Sequence, residues 1–427
     1  MVLSLLCHLS LGYLAVKHGN FVDRHPVTHQ VMDSDIFLMG VNLAWVNFRG
    51  DFGSMWGSIV PNKTFTTFEN TVTQLSQAGG NAIRFWVHCD AANTPEFDAD
   101  GNVVGTDVEK WSRTSGRLVQ DMQRYLAIAD QYQVKMLFSL FNFGIQEHAL
   151  KGGKLLTDDD AFNSYVTKAL TPIVQGTKGS NALIGYEIFN EPEGMMGGIV
   201  GAGWSKPTVA VHTVLAFINK MAGTIHDLDA NALVTVGSWS LKVVTSTGFG
   251  NHALYNDSSL ISAGGHPKGY LDFYQAHWYE AVGSGMVNPF LHSYGEYGLD
   301  KPLIIGEFSQ CCSGPLMEAH GGTQEESAVE HSSASSVGAN ANAEAVPLMA
   351  SAIAALGSPK SFQVSCTTKG LSSEAMYKHL KSSGFHGGLA WQANDHDGPP
   401  NGGGICGDAL ATMLTGIRGA QGLKRYN

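Results

Sequence analysis

The chain has 427 residues, of which 44% are hydrophobic and 15% are charged, and its formal net charge is −11. This composition excludes a disordered or fibrous protein, and the chain is long enough to bury a large core without disulfides. Because an acidic surface repels phosphate groups, the charge argues against nucleic acid as a partner and favours a globular enzyme with a neutral substrate.

The N-terminus has the composition of a secretory leader. Residues 1–16 are mostly apolar and have the length of a leader's hydrophobic region, although no Lys or Arg precedes it and His8 and Gly12 interrupt it. We therefore predict a signal peptide at 1–16 and a secreted, extracellular protein whose folded part spans 17–427. The alternative is a buried first strand, because Leu14 to Val22 resembles the start of a hairpin. The sequence has no internal run of 18 apolar residues, so it predicts no membrane partner.

Five cysteines remain after this leader, and no pair has the C-x-x-C spacing of a structural zinc site. Cys89 lies in an apolar run and is predicted to be a buried thiol. The other four lie in the last third of the chain, where two disulfides could connect loops, in a pairing that the sequence leaves open: Cys311, Cys312, Cys366 and Cys406.

Short β-branched and aromatic runs alternate with longer amphipathic stretches, the pattern of repeated βα units. The predicted strands, in chain order, are Phe37–Leu43, Asn81–Val87, Lys135–Phe141, Leu183–Asn190, Ala232–Ser238, Asp272–Trp278, Pro302–Phe308 and His386–Gln392. A helix is predicted at Ser372–Ser383, with Ser372 or Ser373 as its N-cap and Gly384 after its end. Eight such units predict an α/β fold, a single-domain (β/α)8 TIM barrel with extended βα loops.

One segment departs from this pattern. Residues 313–345 follow the seventh strand and are rich in Ser, Ala, Gly and Glu, with no Lys or Arg. We predict a long, acidic, low-complexity βα loop, either a mobile solvated insert or a lid near the site.

Two predicted strands end in a carboxylate. The fourth ends in Asn190-Glu191 before Pro192, which lacks the N–H needed to continue a strand, and the seventh ends in Gly306-Glu307-Phe308. Because catalytic groups of a barrel lie at the C-terminal ends of its strands, Glu191 and Glu307 are expected to face each other across the barrel mouth. Two carboxylates so placed can cleave a glycosidic bond, one as acid and the other as nucleophile or base. The alternative for either Glu alone is a structural ion pair with a neighbouring Arg or Lys.

The order of several short motifs carries a resemblance to a known family. These motifs are Gly40–Asn47 with Asp51–Gly53, Asn81–His88, Thr94–Asp98 with Gly101, Asn190–Pro192, His277–Tyr279, Gly306–Phe308 and Ala390–Gln392. The chain resembles glycoside hydrolase family 5, retaining endo-β-glycanases on a (β/α)8 barrel, and most of all the endo-β-1,4-mannanases of animals. The similarity runs from about Phe37 to Ala393 and leaves the insert at 313–345 unmatched.

The resemblance implies roles for the polar residues. Glu191 is implied to be the acid/base and Glu307 the nucleophile. Asn190 is implied to bind the sugar 2-hydroxyl. Arg84 would orient Glu307 and keep it ionised by its charge.

Further residues are expected at the same cleft. His277 and Tyr279 are period-2 neighbours that can both point inward, and Tyr279 is implied to hold the nucleophile. Trp391 is implied to be the platform for the sugar at subsite −1. Three weaker candidates remain, each with a plain buried side chain as the alternative: Trp45, Trp86 and His88.

The third strand departs from many family 5 cellulases, because Phe141 stands where those enzymes have a histidine. This weakens the cellulase interpretation and would give subsite −1 one polar group fewer. We therefore predict a monomeric retaining endo-β-1,4-mannanase that acts on β-mannan without cofactor or metal. The alternatives are an endo-β-1,4-glucanase of the same family and a non-catalytic glycan-binding barrel.

Overall fold

The computed structural model describes residues 13–24, 31–53, 61–107, 117–149, 151–199, 202–249, 252–279, 286–309, 371–393 and 410–422. The predicted insert, the first twelve residues of the predicted leader and the four cysteines of the last third lie outside these ranges. Within them, no helix is both long and apolar enough to cross a membrane.

The strands of the described residues, in chain order, are β1 (Tyr13–Lys17), β2 (Asn20–Arg24), β3 (Val31–Asp35), β4 (Leu38–Asn42), β5 (Ala82–Cys89), β6 (Glu96–Phe97), β7 (Val103–Gly105), β8 (Lys135–Asn142), β9 (Leu183–Asn190), β10 (Met196–Gly197), β11 (Val209–Ala210), β12 (Val234–Ser238), β13 (Tyr274–Trp278), β14 (Leu303–Phe308) and β15 (Gly387–Ala390). Eight of them close into a barrel of parallel strands, in the order β4, β5, β8, β9, β12, β13, β14 and β15. The strand β15 pairs back with β4 and completes the ring.

Each barrel strand coincides with one of the eight predicted strands to within two residues at either end, which confirms the predicted TIM barrel. The match follows from burial. The barrel interior covers one face of every strand and the helices cover the other, so these segments read as continuous apolar runs. In β9, for example, all eight residues are buried.

The helices of the described residues are α1 (Pro61–Gln77), α2 (Arg117–Gln131), α3 (Gly152–Leu155), α4 (Asp159–Tyr165), α5 (Thr171–Thr177), α6 (Val211–Leu228), α7 (Leu241–Val244), α8 (Asp257–Gly264), α9 (Ser373–Ser382) and α10 (Leu410–Ala420), with a π-helical segment at Val166–Leu170 and 3₁₀ turns at Phe143–Glu147, Pro192–Met195, Pro289–Leu291 and Tyr294–Tyr297. The predicted capping of α9 is confirmed. The side chain of Ser372 accepts a hydrogen bond from the Ala375 N–H, and Gly384 follows the helix with a φ of +83°.

A small antiparallel sheet of β1, β2 and β3 covers the end of the barrel where its strands begin. Leu14 and Phe21 are buried and pack against the first residues of the barrel strands, among them Leu38 and Ala82. The hairpin considered as the alternative for this segment is therefore present, and it begins at Tyr13. The predicted leader boundary after Val16 falls inside β1.

Candidate active site

Polar side chains gather where the barrel strands end. Arg84 lies on β5, Glu187 and Asn190 on β9, and Glu307 on β14, while Glu191 follows β9 directly. Since parallel strands present their carboxyl ends at the same rim, residues up to 223 positions apart in sequence come into hydrogen-bond contact here.

Arg84 is fully buried and donates hydrogen bonds from all three of its nitrogens. Its Nε and Nη2 bind the two carboxylate oxygens of Glu187, each at 2.6 Å, and its Nη1 donates to Glu307 Oε1 at 2.6 Å. The side-chain oxygens of Asn190 and Asn42 accept from Nη2 and Nη1 at 2.6 and 2.9 Å. Burial opposes the positive charge, but the two carboxylates outweigh burial and raise the pKa of Arg84. A permanent cation therefore lies between Glu187 and Glu307.

Two glycines make room for this polar layer. A Cβ atom at Gly237 would lie 2.9 Å from Glu187 Oε1, and a Cβ atom at Gly306 would lie 2.3 Å from the side-chain oxygen of Gln275. Gln275 in turn donates to Glu187. The close approach of these side chains to the neighbouring strands therefore requires residues without a side chain at both positions.

Glu307 is buried and held at both oxygens. Oε1 accepts from Arg84, and Oε2 accepts from the hydroxyl of Tyr279 at 2.6 Å. Burial raises the pKa of Glu307 above its ordinary value, while the charge of Arg84 and the hydrogen bond from Tyr279 oppose that rise. Arg84 therefore favours the ionised form, as the resemblance implies, but burial is the larger effect.

Glu191 occupies a strained turn after β9. Its backbone is left-handed, with φ 47° and ψ 55°, a conformation that costs a residue with a side chain about 1 kcal/mol or more. The turn is held by hydrogen bonds from the Glu191 N–H to the Gly237 carbonyl (2.6 Å) and from the Gly194 N–H to the Glu191 carbonyl (2.9 Å). Burial raises the pKa of Glu191 to about 7. Its carboxyl group can therefore hold a proton near neutral pH.

His277 lies between the two carboxylates. Its Nδ1 is 3.0 Å from Glu191 Oε1 and 3.5 Å from Glu307 Oε2. Burial lowers the pKa of His277 to about 4, so the ring is neutral at neutral pH. One ligating atom from each of the three residues lies within 4.8 Å of the others. Such a group could contact a cation, but the guanidinium of Arg84, 2.6 Å from Glu307 Oε1, would repel one.

The predicted aromatic residues form one group beside these carboxylates. The ring centroid of Trp45 lies 5.0 Å from that of Trp86 and 6.1 Å from that of Trp391. The hydroxyl-bearing Tyr279 packs in the same cluster and connects it to Glu307. The three tryptophans are 9%, 4% and 2% exposed, respectively, so only a small part of each ring is open to solvent. Cys89 belongs to this cluster and is a free buried cysteine, which confirms the predicted thiol.

The structure does not bring His88 to the cleft. The pairing of β5 with β8 shifts register between Trp86 and Cys89, so Cys89 joins the inward cluster and the ring of His88 packs on Phe141, at 5.1 Å. His88 has no exposed surface, and burial lowers its pKa to about 3. The alternative of a buried histidine describes this residue.

The packing of Phe141 corrects its expected effect. Its ring packs against Tyr165, Phe189 and Phe217 in the core that contains the helix-layer side chains. It does not line a sugar subsite, and its presence removes no polar group from the Arg84 contacts.

Comparison with known proteins identifies the family of the chain. A family model described as Cellulase (glycosyl hydrolase family 5) matches residues 41–343. The chain belongs to glycoside hydrolase family 5. The resemblance stated from the motifs is thereby confirmed.

Two family 5 relatives carry a specific name. The mannan endo-1,4-beta-mannosidase of Mytilus edulis is 37% identical over 296 residues, covering 64% of this chain and 76% of that protein. The protein of the same name from Cryptopygus antarcticus is 30% identical over 404 residues, covering 91% of this chain and 86% of that protein. Among solved structures, the endo-1,4-beta-mannanase from Eisenia fetida covers 97% of this chain and 96% of its own, with a TM-score of 0.70 and 27% identity.

Sequence reasoning missed two buried carboxylates of this family 5 site. Glu187 lies in the middle of β9, and Glu193 follows the turn at Glu191, where it accepts hydrogen bonds from the Trp239 N–H at 3.1 Å and from the Tyr255 hydroxyl. Both are fully buried. The sequence did contain a signal for Glu187, because a glutamate inside an otherwise apolar strand requires a buried partner. Arg84, on a neighbouring predicted strand, is a suitable partner.

Proposed function

We propose that this family 5 chain is an endo-β-1,4-mannanase that cleaves β-mannan with retention of the anomeric configuration. The observation that carries the mechanism is the approach of one oxygen of Glu191 to one oxygen of Glu307 within 4.8 Å. Retaining glycosidases have their carboxyl groups about 5–5.5 Å apart, whereas inverting enzymes leave about 6.5–9.5 Å for a water molecule. Mannan as the substrate is supported by the two relatives named mannan endo-1,4-beta-mannosidase.

In the first step Glu307 attacks the anomeric carbon, and Glu191 gives its proton to the leaving glycosidic oxygen as the bond breaks. In the second step Glu191, now ionised, takes a proton from water, whose oxygen attacks the same carbon and releases Glu307. Tyr279 and Arg84 hold the two oxygens of Glu307 in place. The amide nitrogen of Asn190 has no partner among the described residues and is available to a sugar hydroxyl.

Parallel digests of ivory-nut mannan, glucomannan and carboxymethylcellulose test the proposed substrate through the release of reducing ends. We expect release from both mannans and little from carboxymethylcellulose. Strong release from carboxymethylcellulose would favour the glucanase alternative. If a folded protein releases no reducing ends from any of the three substrates, the binding-protein alternative is favoured. The Glu307→Gln variant, purified in the same way, is the control for contaminating hydrolases.

The plot of kcat/KM against pH should be bell-shaped, and the decline on its alkaline side should follow the ionisation of Glu191. Its pKa is raised to about 7, so the proton that it donates is present below that pH and is lost above it. Glu307 must be ionised, and since its pKa is also raised, activity should fall as the pH drops toward and below that pKa. We expect kcat/KM on mannohexaose to be highest on the acid side of pH 7 and to decline above it. A profile that stays flat to about pH 9 would contradict the role of Glu191.

Secretion and a monomeric state are part of the same proposal. The burial of Leu14 supports a leader that ends before β1. Leu14 is 3% exposed and packs in the core that closes the barrel. We expect the mature protein to begin at or before Tyr13, because removal of β1 would expose that core. N-terminal sequencing of protein recovered from the culture medium checks this. A mature chain that begins at Lys17 would contradict it.

A further inference from the structure

Glu187 is a buried carboxylate with no exposed surface, and it makes four hydrogen bonds. Both of its oxygens accept from Arg84, while Oε1 also accepts from the Ser139 hydroxyl (2.8 Å) and Oε2 from the Gln275 amide (2.5 Å). With all its partners donating, the group is a carboxylate and not an acid. Burial alone would raise its pKa, but the charge of Arg84 outweighs burial and lowers it.

The orientation of Arg84 depends on this contact. A guanidinium group binds one carboxylate best with two parallel N–H donors, and Arg84 makes this two-pronged contact with Glu187. Only Nη1 is left for Glu307. Without Glu187 the guanidinium could turn its fork to Glu307, which would bind the nucleophile more tightly and make it less reactive.

The charge of Glu187 also acts on both catalytic groups. Arg84 supplies one positive charge, whereas Glu187 and the ionised Glu307 supply two negative charges, so the cluster is already negative before Glu191 ionises. Burial is the largest cause of the raised pKa of Glu191. The charge of Arg84 lowers that pKa and the charge of Glu187 raises it, so Glu187 offsets part of the effect of Arg84. The negative charge of Glu187 also offsets part of the effect by which Arg84 lowers the pKa of Glu307.

We infer that Glu187 is a positioning residue of the reaction, one that aims Arg84 at the nucleophile and keeps a fixed negative charge beside both catalytic carboxylates. It does not touch the substrate, and it is distinct from the acid/base and the nucleophile. This inference rests on the proposed function, because its effects are read through catalysis.

The test is the pH profile of Glu187→Gln on mannohexaose. The amide has the same shape but lacks the charge, so Arg84 and Glu307 remain as a neutral pair. We expect both limbs of the kcat/KM profile to move to lower pH, by about one unit, because both catalytic carboxyls then ionise more readily. We also expect kcat at the optimum to fall by about 10²-fold, because Arg84 is no longer aimed.

Two matched variants separate charge from shape. Ser139→Ala removes one hydrogen bond from Glu187 and keeps its charge, so both limbs should stay in place. Glu187→Asp keeps the charge and withdraws it by one methylene, so kcat should fall while the two limbs of the pH profile stay in place.

The inference would be overturned if the limbs of the pH profile do not move in Glu187→Gln, or if they move by the same amount in Ser139→Ala. If Glu187→Gln does not fold, a wild-type kcat in Glu187→Asp would overturn it and a reduced kcat with unmoved limbs would support it. A wild-type protein inactive on mannan would instead refute the proposed function.

Discussion

Replacing Glu307 by Gln is expected to lower turnover on mannan by about 10³-fold or more and to leave binding nearly unchanged. An amide cannot form the glycosyl–enzyme bond, yet it keeps the size of the carboxylate and an oxygen that accepts from Arg84. Turnover is measured as reducing ends released from mannan, and binding as the calorimetric affinity for mannohexaose.

The matched control is Glu296→Gln, which changes an exposed carboxylate in the 3₁₀ turn at Tyr294–Tyr297. It should keep wild-type turnover, because Glu296 hydrogen-bonds only its own turn neighbours among the described residues. A Glu307→Gln variant that keeps more than about a tenth of wild-type turnover would overturn the assignment of the nucleophile.

Replacing Glu191 by Ala is expected to lower turnover on mannan by about 10²–10⁴-fold, because the sugar leaving group then departs without a proton. A β-mannobioside with a dinitrophenyl leaving group needs no such proton, so its first step should be largely spared. The second step then lacks a base, and added azide should restore turnover by attacking the glycosyl–enzyme in the space left by the side chain.

The anomer of the azide product distinguishes the two carboxylates. Glu191→Ala should yield a β-mannosyl azide, because azide attacks the covalent intermediate from the face that water uses. Glu307→Ala should yield the α-azide, because azide then takes the position of the nucleophile. An α-azide from Glu191→Ala and a β-azide from Glu307→Ala would instead make Glu191 the nucleophile and Glu307 the acid/base.

The barrel was predictable because its strands are buried on both faces and therefore stand out as apolar runs. The strand β9 was predicted with its observed bounds, since Asn190 and Pro192 mark its end. The hairpin that starts at Tyr13 appeared only as an alternative, because an apolar leader and a strand that closes a barrel have the same composition.

The site was predictable where a strand end or a family motif marked it. Glu191, Glu307, Arg84 and Tyr279 come together as the motifs imply. The position of His88 was not predictable, because alternation along β5 places it on the same face as Arg84 and only the register shift beyond Trp86 turns it away. The role of Glu187 required knowing which cation it meets.

The Arg84 cluster is better explained by the proposed function than by the stability of the fold. Taking a guanidinium and several carboxylates out of water costs folding free energy, and apolar residues of similar size would often be as stable or more so. The barrel tolerates the cluster because most of its strand residues are apolar and buried in the hydrophobic clusters around it. Charged side chains buried among apolar strand residues therefore indicate the proposed reactive part of the molecule.

The stereochemistry of the first product tests the central claim most directly. Proton NMR spectra recorded during the first minutes of mannohexaose hydrolysis, before mutarotation, give the configuration of the new reducing end. The double displacement by Glu307 and Glu191 predicts that the β-anomer forms first and the α-anomer appears only later. If the α-anomer forms first, the reaction inverts, and the account of Glu307 as a nucleophile is contradicted.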